Sequence, residues 1–110
     1  MARTIQETAL TEAVYYILLS LQQPRHGYGI MQFVQELSNN RVKLAAGTLY
    51  GALSSLVDKG WIEAIEQEAG RKKEYIMTNQ GRERLLAELD RLKELVRHGQ
   101  ETMGVDQGEQ

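Results

Sequence analysis

The sequence predicts a mainly α-helical fold with a small β-hairpin, and three observations lead to it. Several segments carry one apolar face at helical spacing. After Gly60 the pattern changes to two short β-like runs, which are separated by a linker with a turn glycine at Gly70. Near the C-terminus, apolar residues from Leu85 to Val96 repeat at intervals of four and three. The expected order is helix, helix, helix, hairpin, helix.

The first two helices are predicted from capping residues and apolar spacing. Thr11 is expected to cap the first helix, which runs to about Leu21 and is broken by Pro24. The second helix is expected to extend from Gly27 to Leu37, before the turn-forming run at 38–40. The apolar faces predicted for these two helices comprise Leu10, Val14, Ile17, Leu18, Leu21, Ile30, Phe33, Val34 and Leu37.

The third helix, predicted over about 46–59, has an unusual leading end. Alternating residues at 41–44 predict a very short strand just before it. Its predicted apolar face is made by Leu49, Leu53, Leu56 and Val57. The residues left facing elsewhere are small, hydroxylated or aromatic, namely Gly47, Thr48, Tyr50 and Gly51. A slim leading turn of this kind suits the major groove of DNA, which is wide enough to admit a helix.

The predicted hairpin has strands at 61–66 and 73–78 and a basic tip at 67–73. Three cations at this tip are expected to neutralise phosphates or to reach a minor groove, with a solvated turn as the alternative. These cations are Arg71, Lys72 and Lys73.

The last helix, predicted over 79–98 with Thr78 as its cap, carries an apolar seam that resembles a short heptad pattern. Pairing with a second copy of the chain is the favoured interpretation, and packing against the first helix is the alternative. The seam residues are Leu85, Leu89, Leu92 and Val96. The predicted organisation is therefore a winged helix-turn-helix domain over 1–78, a C-terminal dimerisation helix over 79–98, and a disordered tail over 99–110.

The net charge of −2 argues against nucleic-acid binding, but its distribution weakens the objection. Residues 1–97 carry 13 basic and 12 acidic side chains, a balance of +1. Local potential at the contact surface matters more than the total. Arg41 and Lys43, just before the third helix, are expected to contact phosphates, with ordinary surface charge as an equal alternative.

Composition and motifs exclude several other classes. The absence of cysteine excludes disulfides and thiolate sites, and the two histidines, His26 and His98, are too far apart to predict a metal site. No catalytic constellation and no cofactor-binding loop is visible, so we expect no enzyme. No signal peptide is apparent, and the apolar run at 13–19 is too short to cross a membrane. We therefore expect a cytoplasmic protein.

Over roughly residues 8–97 the chain resembles PadR-type transcriptional regulators. The motifs that carry the resemblance are His26-Gly27-Tyr28-Gly29-Ile30, Gly47-Thr48-Leu49-Tyr50-Gly51-Ala52-Leu53, Leu56-Val57-Asp58-Lys59-Gly60-Trp61-Ile62, and Arg71-Lys72-Lys73-Glu74-Tyr75 with Thr78 and Gly81. The resemblance implies a repressor that dimerises through its C-terminal helix and binds a palindromic operator. By position, it places Gly47, Thr48, Tyr50 and Gly51 on the recognition helix, and Arg71 and Lys72 on the wing.

The resemblance leaves the effector open. Founding members of the family respond to phenolic acids, and others bind drugs between the helices of the dimer. Similar drug-binding members carry a tryptophan on the last helix, whereas residues 79–97 contain no aromatic residue. This difference argues against an aromatic-drug pocket of that kind and leaves a small-molecule effector unidentified. Two alternatives to DNA binding stay open, a winged-helix protein–protein adaptor and a small-molecule sensor.

Overall fold

The structure is a computed structural model that describes residues 8–66 and 73–105. Its elements in chain order are α1 (Glu12–Ser20), β1 (Arg25–His26), α2 (Gly27–Leu37), α3 (Ala46–Asp58), β2 (Ile62–Ile65), β3 (Glu74–Met77) and α4 (Asn79–Met103). This is the predicted winged-helix order of three helices, a hairpin and a long last helix. None of the helices in the described ranges is both long and apolar enough to cross a membrane.

Side chains cap three of the four helices. The hydroxyl of Thr11 accepts a hydrogen bond from the amide of Val14, and that of Thr78 accepts one from the amide of Gly81, which confirms both predicted caps. At α2 the cap is His26, whose Nδ1 accepts from the amide of Gly29 at 3.4 Å. The imidazole thus has a structural role at the start of α2, and the described residues contain no group of metal-ligating side chains.

The three strands form one antiparallel sheet in the order β1-β3-β2. β2 and β3 are the predicted hairpin, with Ala64 opposite Tyr75. The predicted strand at 41–44 is wrong, because this segment runs as a loop after the left-handed residues Asn39 and Asn40. The third strand is β1, where Arg25 pairs with Tyr75 and ties the start of α2 to the hairpin.

The core lies where the helices and the sheet meet. Most of the apolar positions predicted for α1, α2 and α3 are buried or half-buried, whereas two are exposed: Leu37 by 54% and Val57 by 38%. Both lie in the last turns of their helices, where the apolar stripe leaves the body of the protein. The core residues are Ile17, Leu18, Leu21, Ile30, Val34, Leu49, Leu53, Leu56, Ile62 and Leu85.

The last helix is longer than predicted. It continues past Gly99 to Met103 and ends at Gly104, whose φ of 74° is the left-handed geometry of a C-terminal cap. The predicted start of the tail at residue 99 is therefore wrong, because a single glycine costs only about 1 kcal/mol and does not end a helix. Residues 106–110 of the predicted tail lie outside the described residues.

The end of α3 and the start of α4 are joined by a tight junction. The Thr78 hydroxyl donates to the carbonyl of Gly60 at 2.7 Å, and the Thr78 amide donates to the carbonyl of Trp61 at 3.0 Å. Gly60 adopts a φ of 79°, which favours glycine. Gly81 packs so closely that a Cβ there would lie 2.0 Å from the Trp61 carbonyl oxygen. This junction fixes the direction in which α4 leaves the body.

Candidate nucleic-acid interface

One side of α3 is buried in the core and the other is open to solvent. Leu49 and Leu53 are at most 1% exposed, whereas Gly47, Thr48 and Gly51 are exposed. A Cβ placed on Gly47 or Gly51 would meet no atom within 4 Å. Neither glycine is therefore required by packing within the described residues. Their effect is to keep this face of the helix slim.

The leading end of α3 also lacks a side-chain cap. Ala45 is its N-cap and offers no side-chain acceptor to the first-turn amides. Ala45, Ala46 and Gly47 are all exposed, and no side chain caps this end of the helix. Backbone amides at a helix N-terminus are favourable partners for phosphate oxygens.

Tyr50 is half-exposed, and its ring crosses from α3 to the start of α2. A Cβ on Gly27 would lie 2.2 Å from the Tyr50 hydroxyl oxygen and 2.7 Å from its Cζ. The hydroxyl end of the side chain thus lies against the backbone of α2. Unlike Gly47 and Gly51, Tyr50 therefore has a neighbour in another helix, which the sequence spacing did not reveal.

The charges around α3 favour an anionic partner. Residues 46–57 include no charged side chain, and the helix is flanked by the exposed Lys43 and Lys59. The Lys59 ammonium lies 5.2 Å from the centre of the Trp61 ring. The leading part of α3 therefore carries no negative side chain, and the one charged residue of the helix, Asp58, lies at its opposite end.

Arg41, for which phosphate contact and ordinary surface charge were equal alternatives, has a partner within the chain. Its guanidinium forms an ion pair with Glu12 and lies 3.3 Å from the Tyr16 hydroxyl. The ion pair with Glu12 raises the pKa of Arg41 and fixes the loop before α3 to α1. A phosphate contact by Arg41 would compete with Glu12.

The predicted wing lies mostly outside the described residues. Arg71 and Lys72 belong to the undescribed segment 67–72, whereas Lys73 is exposed immediately before β3. Ala64 and Ile65 of β2 pair with Tyr75 and Glu74 of β3, so the two strands converge on this segment. The predicted phosphate contacts of Arg71 and Lys72 therefore concern residues outside the described ranges, and they stay predictions.

The outer face of α4 carries the exposed part of the predicted seam. Leu89 is 37% exposed and Val96 is 57% exposed, and both border a shallow groove of about 660 Å³ together with Leu92. Leu85 does not belong to this face, because it is 7% exposed and packs in the core of its own chain. Helical spacing alone could not separate the inward residue from the outward ones.

A buried carboxylate, which the sequence analysis missed, fixes α4 to the segment before α1. Glu88 is 2% exposed and accepts hydrogen bonds from Arg91 at 2.6 and 2.9 Å, and from the Leu10 amide at 3.3 Å. Arg84 lies 3.9 Å from Glu88 and donates to the carbonyl of Thr8. The bonds from Arg91 lower the pKa of Glu88, burial opposes this shift, and the Leu10 amide and Arg84 add to the lowering.

Comparison with known protein families gives a match over residues 16–87, to the family described as "Transcriptional regulator PadR-like family". The matched region contains α2, α3, the hairpin and the first part of α4. A curated protein in transposon TN4556 of Streptomyces fradiae is 40% identical over 62 residues. That alignment covers 56% of this chain and 17% of the relative, so the chain spans a small part of the longer protein.

Several solved structures are similar to this fold. RosR of H. salinarum is 30% identical, with a TM-score of 0.62 over 81% of this chain and 76% of that one. A transcriptional regulator from Clostridium thermocellum has a TM-score of 0.71 at 18% identity, over 81% and 86% of the two chains. A PadR family regulator from Clostridium difficile has a TM-score of 0.67 at 23% identity, over 83% and 96%. At these identities the two clostridial structures show the fold alone.

The family match covers well over half of the chain, and the order of elements agrees with it. The chain belongs to the PadR-like family of transcriptional regulators and has its winged-helix fold.

Proposed function

We propose that the protein is a sequence-specific DNA-binding repressor that acts as a homodimer on a palindromic operator. In this proposal the leading end of α3 enters the major groove, and the tip of the hairpin contacts phosphates or the minor groove. The α4 helices of two copies pair and set the distance between the two copies of α3. Two such helices would contact half-sites about one helical turn apart.

The observation that carries the proposal is the open space around Gly47 and Gly51. Glycine within a helix costs about 1 kcal/mol relative to alanine. Nothing inside the described chain offsets this cost, because a Cβ at either position would meet no neighbour. A close approach by an external surface would explain both glycines. The uncapped amides of the same turn and the flanking lysines favour a surface that carries phosphates.

A second copy of the chain is the proposed occupant of the outer face of α4. Exposed apolar side chains continue along this helix well beyond the part that contacts the body, and they border the groove described above. Asp90, Lys93, Glu94 and Arg97 also line that groove, so the apolar centre has charges of both signs at its edges. This arrangement suits pairing with an identical helix, in which unlike charges meet across the seam.

The proposal is tested by selecting bound duplexes from a random 30-base-pair library, followed by fluorescence anisotropy on the selected sequence. We expect a motif with twofold symmetry and a complex of two chains per duplex. Affinity for the selected duplex should exceed that for a scrambled duplex by at least about a thousandfold. Folded protein that binds no duplex preferentially at any salt concentration would refute the proposal.

The contribution of the hairpin tip has a separate test. Replacing Arg71 and Lys72 with alanine should weaken binding to selected and scrambled duplexes alike. The slope of log K against log salt concentration should flatten by about 0.9 for each phosphate contact that is lost. An unchanged slope in this double variant would show that the tip does not contact phosphate.

Two other functions would give different results in the same experiments. A protein–protein adaptor would be folded and would bind no DNA. Its protein partner would instead cover the exposed face of α3. A small-molecule sensor would show a melting temperature raised by its ligand without affinity for DNA. The leading part of α3 carries no acidic side chain, since Asp58 lies at the opposite end of the helix, and this favours DNA over the adaptor.

A further inference from the structure

The contact between Tyr50 and Gly27 joins the exposed side of α3 to the start of α2. Tyr50 lies in the second turn of α3, and its hydroxyl oxygen occupies the space that a side chain at Gly27 would need. Gly27 is buried, whereas Tyr50 is half-exposed. The bare backbone at Gly27 therefore supports one end of an otherwise accessible ring.

The position of Gly27 is set by its neighbour His26, which is held in two ways. Gly27 follows β1 directly, and His26 pairs with Glu74 of the hairpin. The same histidine caps α2 through the amide of Gly29. Gly27, which Tyr50 contacts, thus lies where the sheet meets the start of α2. Through this contact α3 is linked to β3.

We infer that Gly27 is a positioning residue for DNA recognition, because it fixes the Tyr50 ring on α3 so that the ring, and not the hydroxyl, meets the groove. This inference rests on the proposed function. The hydroxyl end lies against α2, so the accessible part of Tyr50 supplies mainly apolar contact. Base edges offer partners for such contact, the thymine methyl group among them.

The substitution Gly27→Ala is expected to disturb this contact and little else. In Gly27→Ala the new methyl group would overlap the tip of the Tyr50 side chain, and not any backbone atom. Rotation of the tyrosine relieves the overlap, so the core is expected to keep its packing. The matched control is Gly29→Ala in the same turn of α2, where a Cβ would lie at an ordinary distance of 3.8 Å from its nearest neighbour, the Arg25 Cβ.

The experiment compares four variants by anisotropy, on the duplex selected by the wild type and on a scrambled duplex. The variants are Gly27→Ala, Gly29→Ala, Tyr50→Phe and Tyr50→Ala. We expect Gly27→Ala to lower the ratio of specific to non-specific affinity by about tenfold, whereas Gly29→Ala keeps the parental ratio. Tyr50→Phe should cost less than Gly27→Ala, because the ring stays in place when only the hydroxyl is removed.

A double variant tests whether Gly27 acts through Tyr50. Adding Gly27→Ala to Tyr50→Ala should cause no further loss, because the group that the methyl displaces is gone. An equal further loss would overturn the inference. If Gly27→Ala fails to fold, the comparison of Tyr50→Phe with Tyr50→Ala decides. Equal losses of the affinity ratio in these two variants would show that recognition depends on the hydroxyl, and would overturn the inference.

The same data separate failure of the inference from failure of the proposed function. A wild type that selects no motif refutes the proposed function, and the positioning role of Gly27 falls with it. A wild type that selects a motif, together with a Gly27→Ala variant that binds with the parental ratio, refutes the positioning role alone.

Discussion

The leading half of α3 and the junction that joins its end to α4 both contain glycine, but for opposite reasons. At the leading end, a Cβ on Gly47 or Gly51 would meet nothing within 4 Å. At the trailing junction, between α3 and α4, a Cβ on Gly81 would overlap the carbonyl of Trp61, and Gly60 adopts a left-handed backbone. The trailing glycines are required by the fold. The leading glycines reduce the stability of the helix without serving the fold, which points to an external partner.

The largest effect is expected where packing is tightest. Gly81→Ala would place a methyl group 2.0 Å from a backbone oxygen, and only a shift of α4 relative to Trp61 can relieve this overlap. We expect a loss of about 3 kcal/mol in the free energy of unfolding. Urea denaturation followed by the fluorescence of Trp61, the single tryptophan, measures it. Gly99→Ala on the exposed part of α4 is the control, and an equal loss there would show that the junction is not special.

Glu88 is expected to have the next largest effect. Glu88→Gln loses the ionic partner of Arg91 and should lower the free energy of unfolding by about 2 kcal/mol at neutral pH. The lowered pKa predicts the sign of the pH dependence. The stabilisation by Glu88 is complete above the ordinary glutamate pKa of 4.5 and is lost as the pH falls through the lower pKa of the folded state.

Denaturation series between neutral pH and about pH 3 test this dependence. The Glu88→Gln variant should lose less stability on acidification than the wild type. Glu83→Gln, an exposed change on the same helix, should follow the wild type. Parallel curves for Glu88→Gln and the wild type would contradict the assignment.

Thr78 tests the hydrogen bonds of the trailing junction. Its hydroxyl donates to the Gly60 carbonyl and accepts from the Gly81 amide, so Thr78→Val removes both bonds while keeping the shape. We expect a loss of about 1 to 2 kcal/mol in thermal or urea unfolding. Thr78→Ser keeps the hydroxyl and should recover most of this loss. A serine variant as unstable as the valine variant would show that the methyl contact, and not the hydroxyl, matters.

The sequence predicted the elements whose signals are local. Thr11 and Thr78 cap their helices as expected, and the helical spacing of Leu49, Leu53 and Leu56 predicted the buried side of α3. β1 was missed because two residues have no periodicity and pair with a strand about fifty positions away. Residues 41–44 have the alternating pattern of a strand, but they pair with no strand among the described residues.

The sequence predicted which residues of α3 are exposed, but not which side chains of the candidate site contact other elements. Spacing placed Gly47, Thr48 and Gly51 on the exposed side of α3, where the structure has them. Spacing could not show that Tyr50 lies against Gly27 or that Arg41 pairs with Glu12, because both contacts join separate elements. The inward Leu85 and the outward Val96 belong to one apolar repeat, and only the packing of α4 against the body separates them.

The smallest expected change in stability comes from the leading end, and it has the opposite sign. Gly47→Ala and Gly51→Ala should each raise the free energy of unfolding by about 0.5 to 1 kcal/mol, because alanine favours the helix and the space is open. Urea denaturation of the DNA-free protein measures this gain. A loss of stability would show that these glycines serve the fold after all.

DNA binding by Gly51→Ala, measured by anisotropy on the duplex that the wild type selects, tests whether the open face of α3 meets the groove. We expect a more stable free protein that binds this duplex at least about tenfold more weakly, because the added methyl group stands between α3 and the groove. A variant that is more stable and binds the selected duplex as tightly as the wild type would show that this face does not enter the groove.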